Sequence, residues 1–381
     1  MGYNFQLIVN SENYKEIDML WYENYGFKED PYAIVDPMAI PSDVFIKWNR
    51  DDLAGKQEME DFITRVVDKQ RIGMKLFGTP GSGKTWLLRY ITKQLKEKLG
   101  DEALIIYISI PRIDPTFAAF YERFIERIKP HLDPILGSIN EKAGDTMENW
   151  SEYLKNRDLS NAIWNLHHSK KVTNLCDAWL LGRKLPTSEL RNIDVLNPLE
   201  KDYQKHEVFK ILIQNSLLAY STCTLMVDEI GYLPPKVAQA LGDSFRETLD
   251  SFYEKFSLIC TYTAEIADEM LDYGYNQFLF TRLERQVKME TIKEEYVPEF
   301  LKIYQATYRK EGFKVDNQLF PFEHNGLKKL TELMNPKNHY PRFILTNCGI
   351  LAKKAAEKNQ KINANFVNNH KNDLKDLMPI F

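Results

Sequence analysis

Apolar residues in this chain alternate between two spacings. Short unbroken runs, rich in β-branched residues, occur at "IGMKLF", "EALIIYISI", "TLMV" and "SLICTYT", with a plausible fifth at "QVKMET". Runs of this length, bounded by polar turns, predict buried strands. Between them the spacing becomes helical. In "DDLAGKQEMEDFITRVVDKQ", Leu53, Met59, Phe62, Ile63 and Val66 recur near the helical period. A helix after "IGMKLF" runs to about Lys98, with Gly100 as its stop. Another covers "PKVAQALGDSFRETLDSFYEKF". Strands alternating with helices predict an α/β fold, a five-stranded parallel sheet with helices on both faces.

Three stretches depart from that alternation. Residues 1–49 are aromatic and punctuated by proline, which suits a lead-in segment. Residues 111–221 are helical throughout, although a parallel crossover needs only about a dozen residues. A large helical insert is expected there. From about Ile292 to residue 381 the pattern is helical again, with turns at "NPKNHYP" and near Asn359–Asn363. The expected division is a lead-in over 1–49, a nucleotide domain over 50–291 that contains the insert, and a C-terminal helical domain over 292–381.

Composition adds constraints. The 381 residues are 44% hydrophobic and 27% charged with a net charge of −4, the profile of an ordinary globular chain. Contact with DNA would need a local basic patch. Cys176, Cys223, Cys260 and Cys348 are far apart and form no metal or disulfide pattern. The first residues lack a signal-peptide pattern, and no apolar run approaches the roughly 20 residues of a membrane span. A cytoplasmic protein is expected. Adjacent His167 and His168 do not face one another on a helix and read as a solvated helix end.

The chemistry centres on "GTPGSGKT", Gly78 to Thr85, between a predicted strand and a predicted helix. Gly78, Gly83, Lys84 and Thr85 match GxxxxGK[ST]. Backbone amides of Gly78, Thr79, Pro80, Gly81, Ser82 and Gly83 would line a phosphate cradle, proline contributing no N–H. Lys84 would reach the β- and γ-phosphates, and Thr85 would ligate Mg²⁺. "LMVDEI" ends a buried strand in Asp228 and Glu229, at the sheet edge where ligands sit in such folds. Asp228 would hold Mg²⁺, and Glu229 would orient or deprotonate the attacking water.

The phosphate loop, "LMVDEI", "LICTYTAE", "FTRLERQVKME" and "HYPRFIL" together resemble an AAA+ ATPase, closest in flavour to the origin-recognition and transposition-regulator group. "YGFKEDPY" resembles the opening of transposition-regulator and secretion-type ATPases. "DAWLLGRKLPTSELRNIDV" resembles a helical segment of ATP-binding proteins in BREX-type phage defence. The resemblance implies an AAA+ P-loop NTPase with a helical lid, binding and hydrolysing ATP. Thr263 falls at the sensor-1 place, with Thr261 as the alternative. Arg282 falls at the place of an arginine acting on a neighbouring subunit's nucleotide, with Arg285 as the alternative. A surface pair with Glu284 or Glu290 also suits such an arginine. Arg342, after Pro341, matches sensor 2, which would couple loss of the γ-phosphate to a hinge movement. "DDLAGKQ" marks the start of the base pocket, with Leu53 and Gly55 as its neighbours.

The resemblance implies a homo-oligomer that remodels or assembles on DNA, in replication, transposition or phage defence. About 30 residues follow "PRFILTNCG", too few for a winged-helix DNA reader. Any DNA grip is then expected from the ATPase ring, the insert or a partner. The alternative is an ATP-regulated signalling scaffold whose insert docks a protein effector. "KKAAEKNQK" reads as a basic helix end facing solvent.

Overall fold

The computed structural model describes residues 21–33, 55–111, 113–252, 254–264, 277–315 and 317–375. The chain divides into two compact units. One comprises 54–79 and 91–289; the other comprises 1–53, 80–90 and 290–381.

The described residues of the first unit contain five strands: β1 (Ile72–Phe77), β2 (Ala103–Ser109), β3 (Thr222–Asp228), β4 (Phe256–Tyr262) and β5 (Arg285–Lys288). All neighbours are parallel, in the order β2-β3-β4-β1-β5. Every residue of β3 and β4 is buried, which is why both read as unbroken apolar runs. On β2 alternate residues are only half-buried.

Helix α1 (Lys56–Val67) packs along β1 and β5. Its buried Met59, Phe62, Ile63 and Val66 are the residues the helical spacing singles out. Helix α2 (Lys84–Leu99) opens directly from the phosphate loop and stops before Gly100, at φ 57°. Among the described residues seven α-helices separate β2 from β3: α3 (Phe117–Ile128), α4 (Leu132–Ala143), α5 (Met147–Leu154), α6 (Arg157–His168), α7 (Thr173–Leu180), α8 (Thr187–Asn192) and α9 (Asp202–Ala219). Helix α10 (Pro235–Ser251) joins β3 to β4, and α11 (Gln277–Arg282) precedes β5.

The insert shares its core with the sheet. Phe209 on α9 meets Phe124 on α3 with ring centroids 4.7 Å apart. Phe120 on α3 meets Phe245 on α10 at 5.5 Å. The insert therefore continues the sheet's apolar layer. The segment resembling phage-defence proteins lies on α7 and α8, where Trp179 is buried and donates its indole N–H to the Asn197 carbonyl at 2.9 Å.

The second unit contains α12 (Val297–Tyr308), α13 (His324–Leu333), α14 (Pro341–Glu357) and α15 (Ala364–Asn369). The described part of the lead-in packs on them. Phe27 is fully buried beneath the Arg309 guanidinium, 4.6 Å from the ring centroid. The Tyr304 hydroxyl donates to the Pro31 carbonyl at 2.6 Å. Trp86, on the first turn of α2, belongs to this unit and meets Phe300 and Tyr304 edge-on. Among the described residues no helix is long and apolar enough to cross a membrane.

Candidate active site

The carboxyl edge of the sheet gathers polar groups from three adjacent strands. Parallel pairing sets Ser109 on β2 opposite Asp228 on β3, and Val227 opposite Cys260 on β4. The next step on β4 is Thr261, fully buried. Side chains two apart on one strand share a face, so Tyr107 lies on the same side as Ser109.

Asp228 is 2% exposed. A buried carboxylate needs hydrogen-bond donors. The Tyr107 hydroxyl donates to its Oδ2 at 2.9 Å. The Glu229 amide donates to Oδ1 at 3.0 Å, and the Thr261 hydroxyl donates to the same oxygen. The Glu229 amide also lies 2.9 Å from the Thr261 hydroxyl oxygen. The Ser109 hydroxyl donates to Glu229 Oε2 at 3.2 Å, while Arg123 on α3 donates to the Ser109 carbonyl.

Glu229 sits at φ 63°, ψ 31°. A non-glycine residue in this left-handed region costs roughly 1 kcal/mol or more and needs surroundings that impose it. Here the fixed end of β3 and the amide contacts to Asp228 and Thr261 supply that constraint.

β1 delivers the chain into the phosphate loop. Gly81 and Gly83 have φ 82° and 101°, conformations that favour glycine. Ser82 is 2% exposed, and its hydroxyl has no hydrogen-bond partner among the described residues. Lys84 is 8% exposed and begins α2, whose first turn carries no acidic residue. Turned glycines, a buried unsatisfied hydroxyl, a buried lysine and an acid-free helix start suit a polyanion. Thr85 follows on the same turn, and its hydroxyl is a hard oxygen of the kind Mg²⁺ takes.

Arg342 is at the start of α14, directly after Pro341. Its amide nitrogen is 3.5 Å from the Gly81 carbonyl. A Cβ placed on Gly81 would come within 2.8 Å of the Arg342 Cβ. Arg342 therefore abuts the phosphate loop inside the second unit.

The remaining candidates lie elsewhere. Thr263 is half-buried just past β4, while Thr261 is the threonine bonded to Asp228. Arg282 forms a forked pair with Asp250, at 2.8 and 3.3 Å. Arg285 pairs with Asp61 at 2.6 Å. Glu284 takes Arg65 and Arg71 instead. Gly55 has φ 78°, and a Cβ there would meet the Val287 side chain at 2.5 Å. Leu53, its expected companion, lies outside the described residues. His168 stacks on Trp164 at 4.3 Å and pairs with Asp145 at 2.9 Å, both interactions of a helix end.

Pattern reading of the sequence does not single out Tyr107, Ser109, Arg123 or Asp250. For the first two a signal exists: in "ALIIYIS" the half-buried face of β2 carries Tyr and Ser at its last two positions, polar tips on an otherwise apolar strand.

The family described as "AAA domain" matches residues 67–268, more than half of the chain. A protein described as "ORC1-type DNA replication protein" from Desulfurococcus amylolyticus is 21% identical over 198 residues, 46% of this chain. The chain spans about half the length of that curated relative. Among solved structures, Cdc6p from Pyrobaculum aerophilum is similar at TM-score 0.50 and 13% identity, over 88% of this chain and 71% of that one. The Aeropyrum pernix ORC2 protein, described as ADPNP–ADP complexes, is similar at TM-score 0.50 and 9% identity, over 86% and 71%.

Proposed function

This chain belongs to the AAA domain family, and from that premise we propose that it binds ATP with Mg²⁺, hydrolyses it, and couples the nucleotide state to assembly with further copies of itself on DNA. The observation that carries the reading is the acid pair at the end of β3: Asp228 buried and held at both oxygens, Glu229 held in a left-handed turn beside it.

The roles follow from the chemistry of each group. The loop amides from Gly78 to Gly83 and the Lys84 ammonium bind the phosphates. Thr85 and Asp228 hold the Mg²⁺, which when bound neutralises charge on the phosphate oxygens. Glu229 orients the attacking water and accepts its proton. Its Oε2 accepts from the Ser109 hydroxyl, which orients the carboxylate. Thr261 fixes the acid pair, while Thr263 is assigned to the γ-phosphate side. Arg342 senses the nucleotide through the loop at Gly81.

Arg282 and Arg285 suit a role on another copy's nucleotide. Arg285 pairs with Met74 in the middle of β1, and a Cβ on Gly73 would meet the Arg282 carbonyl. The phosphate loop begins at Gly78, just past β1, four residues beyond Met74 and five beyond Gly73, roughly 13 to 16 Å at the rise of a strand. That is beyond the span of an arginine side chain, so either arginine would act in trans.

An origin-type replication role is the pathway that the relatives' names favour; transposition and phage defence are finer variants on the same chemistry. The insert supports a second use, as a docking surface for a protein, because Leu196 and Tyr203 are 65% and 64% exposed on it.

The test is ATP turnover across protein concentration, with and without duplex DNA. Turnover should rise with self-association and with DNA. Arg282→Ala should lose activity and regain it when mixed with Lys84→Ala subunits. Slow turnover that ignores both concentration and DNA would favour the scaffold reading.

A further inference from the structure

We propose that Tyr107 is a positioning residue for the Asp228 carboxylate, setting the affinity of the site for its divalent cation. The inference rests on the reading of Asp228 as the metal-holding group and adds a residue that no sequence motif marks.

The geometry is a clamp across three strands. Asp228 projects from the end of β3. From β4 the Thr261 hydroxyl takes Oδ1, together with the amide of Glu229. From β2 the Tyr107 hydroxyl reaches along the strand to Oδ2 at 2.9 Å. A carboxylate bonded at one oxygen can still rotate about its Cβ–Cγ bond. Bonded at both, from opposite neighbours, its plane is set.

Two features make this more than burial of a polar group. First, these three donors are neutral. A hydroxyl or amide orients the carboxylate and leaves its negative charge available, whereas a lysine or arginine at the Tyr107 position would compete with a cation for it. Second, the residue is long where a short one would suffice for the strand. Tyr107 registers with Met226, two residues before the Ser109–Asp228 pair, on the half-buried face of β2. Only a long side chain with a polar tip spans that offset. Phenylalanine would pack equally well and leave Oδ2 without this donor.

The experiment is a MgCl₂ titration of binding of a fluorescent ATP analogue, on the full chain, for wild type, Tyr107→Phe and Asp228→Asn. Hydrogen-bonding partners of metal ligands set metal affinity by about 10–100-fold, so Tyr107→Phe should need at least tenfold more Mg²⁺ for half-saturation. Analogue binding without Mg²⁺ should be unchanged, and turnover should recover at saturating Mg²⁺. The thermal midpoint is read alongside. A Tyr107→Phe protein that melts lower yet titrates like wild type assigns the hydroxyl a purely structural role and overturns the proposal. If Asp228→Asn loses the Mg²⁺ response while Tyr107→Phe keeps it, the clamp alone fails. If Asp228→Asn also titrates like wild type, the metal role of Asp228 fails, and the clamp with it.

Discussion

The two edges of one sheet use similar residues to opposite ends. At the carboxyl edge, Asp228 is buried and accepts from the Tyr107 and Thr261 hydroxyls and the Glu229 amide, and Glu229 is held in a strained backbone conformation. At the amino edge, Arg65, Arg71, Arg282 and Arg285 share Asp61, Asp250 and Glu284 in a lattice of ion pairs open to solvent. Arg282 and Asp250 are 40% and 39% exposed. The Arg282 hydrogen bond holds the Asp250 carboxyl below the usual aspartate range. Water separates the two cases. Buried donors have no substitute, so their geometry is unique and their loss is costly. Exposed pairs exchange with solvent, contribute little, and can be surrendered to a neighbouring molecule. A site that must hold one geometry suits the first edge, and an arginine that must change partners suits the second.

The sharpest way to break this contrast is at Glu229. Glu229→Gln should lower turnover by about 10²–10⁴-fold while ATP binding persists, as expected for loss of a general base. Turnover near the wild-type rate in a single-turnover assay would remove Glu229 from the chemistry.

Thr261→Val comes next. It keeps the shape and deletes the donor, leaving Asp228 Oδ1 short of a partner in a buried site. Urea unfolding should show a loss of about 1–3 kcal/mol. An unchanged midpoint would mean that water replaces the hydroxyl and that the edge is wetter than its burial implies.

At the amino edge the same kind of deletion should barely register. Asp61→Asn, which removes the partner of Arg285, should cost under about 1 kcal/mol and less at high salt. The acid limb sharpens this. Because the folded-state pKa of Asp250 is depressed, its contribution is present above the ordinary aspartate range and fades as pH falls through the lower folded value. Wild type and Asp250→Asn should therefore differ slightly near neutrality and converge in strong acid, as read by urea unfolding at each pH.

The smallest expected signal comes from the thiols. All four cysteines are buried and free, and burial pushes Cys176 and Cys223 up to about 12. Native protein at pH 8 should take up no iodoacetamide, and unfolded protein should take up label at all four. Rapid native labelling of Cys223 would show that β3, and with it the Asp228 edge, opens in solution.

Much of this architecture is legible in the residue order. The runs at β1, β3 and β4 announce themselves because central parallel strands are buried on both faces and leave no polar alternation, while β2, an edge strand half-buried on one face, still reads as apolar up to Tyr107. The fifth, Arg285–Lys288, is an edge strand with one buried residue, and it is correspondingly faint in the sequence. The phosphate loop and the acid pair are equally local, each a contiguous motif tied to one turn. The insert reads as helices, but its packing partner does not, because the helical period reveals an apolar stripe and not what covers it. Phe209 on Phe124 and Phe120 on Phe245 are known only from the fold.

What sequence alone determined is therefore the material within one turn or one strand: the α/β alternation, the glycines of the loop, Lys84, Thr85, and the Asp228–Glu229 pair. Tertiary structure decided which distant groups serve them. Tyr107 and Asp228 stand 121 positions apart, with the whole insert between them, and meet because cross-strand register sets Tyr107 two residues short of Asp228 on the neighbouring strand, within reach of its phenol. Register is a property of paired strands, set by how their buried faces fit one another, and no single strand encodes it. The same holds for Arg282, whose partner Asp250 comes from another helix 32 residues away. Sequence names the groups that act, and only the folded sheet assigns the groups that hold them in place.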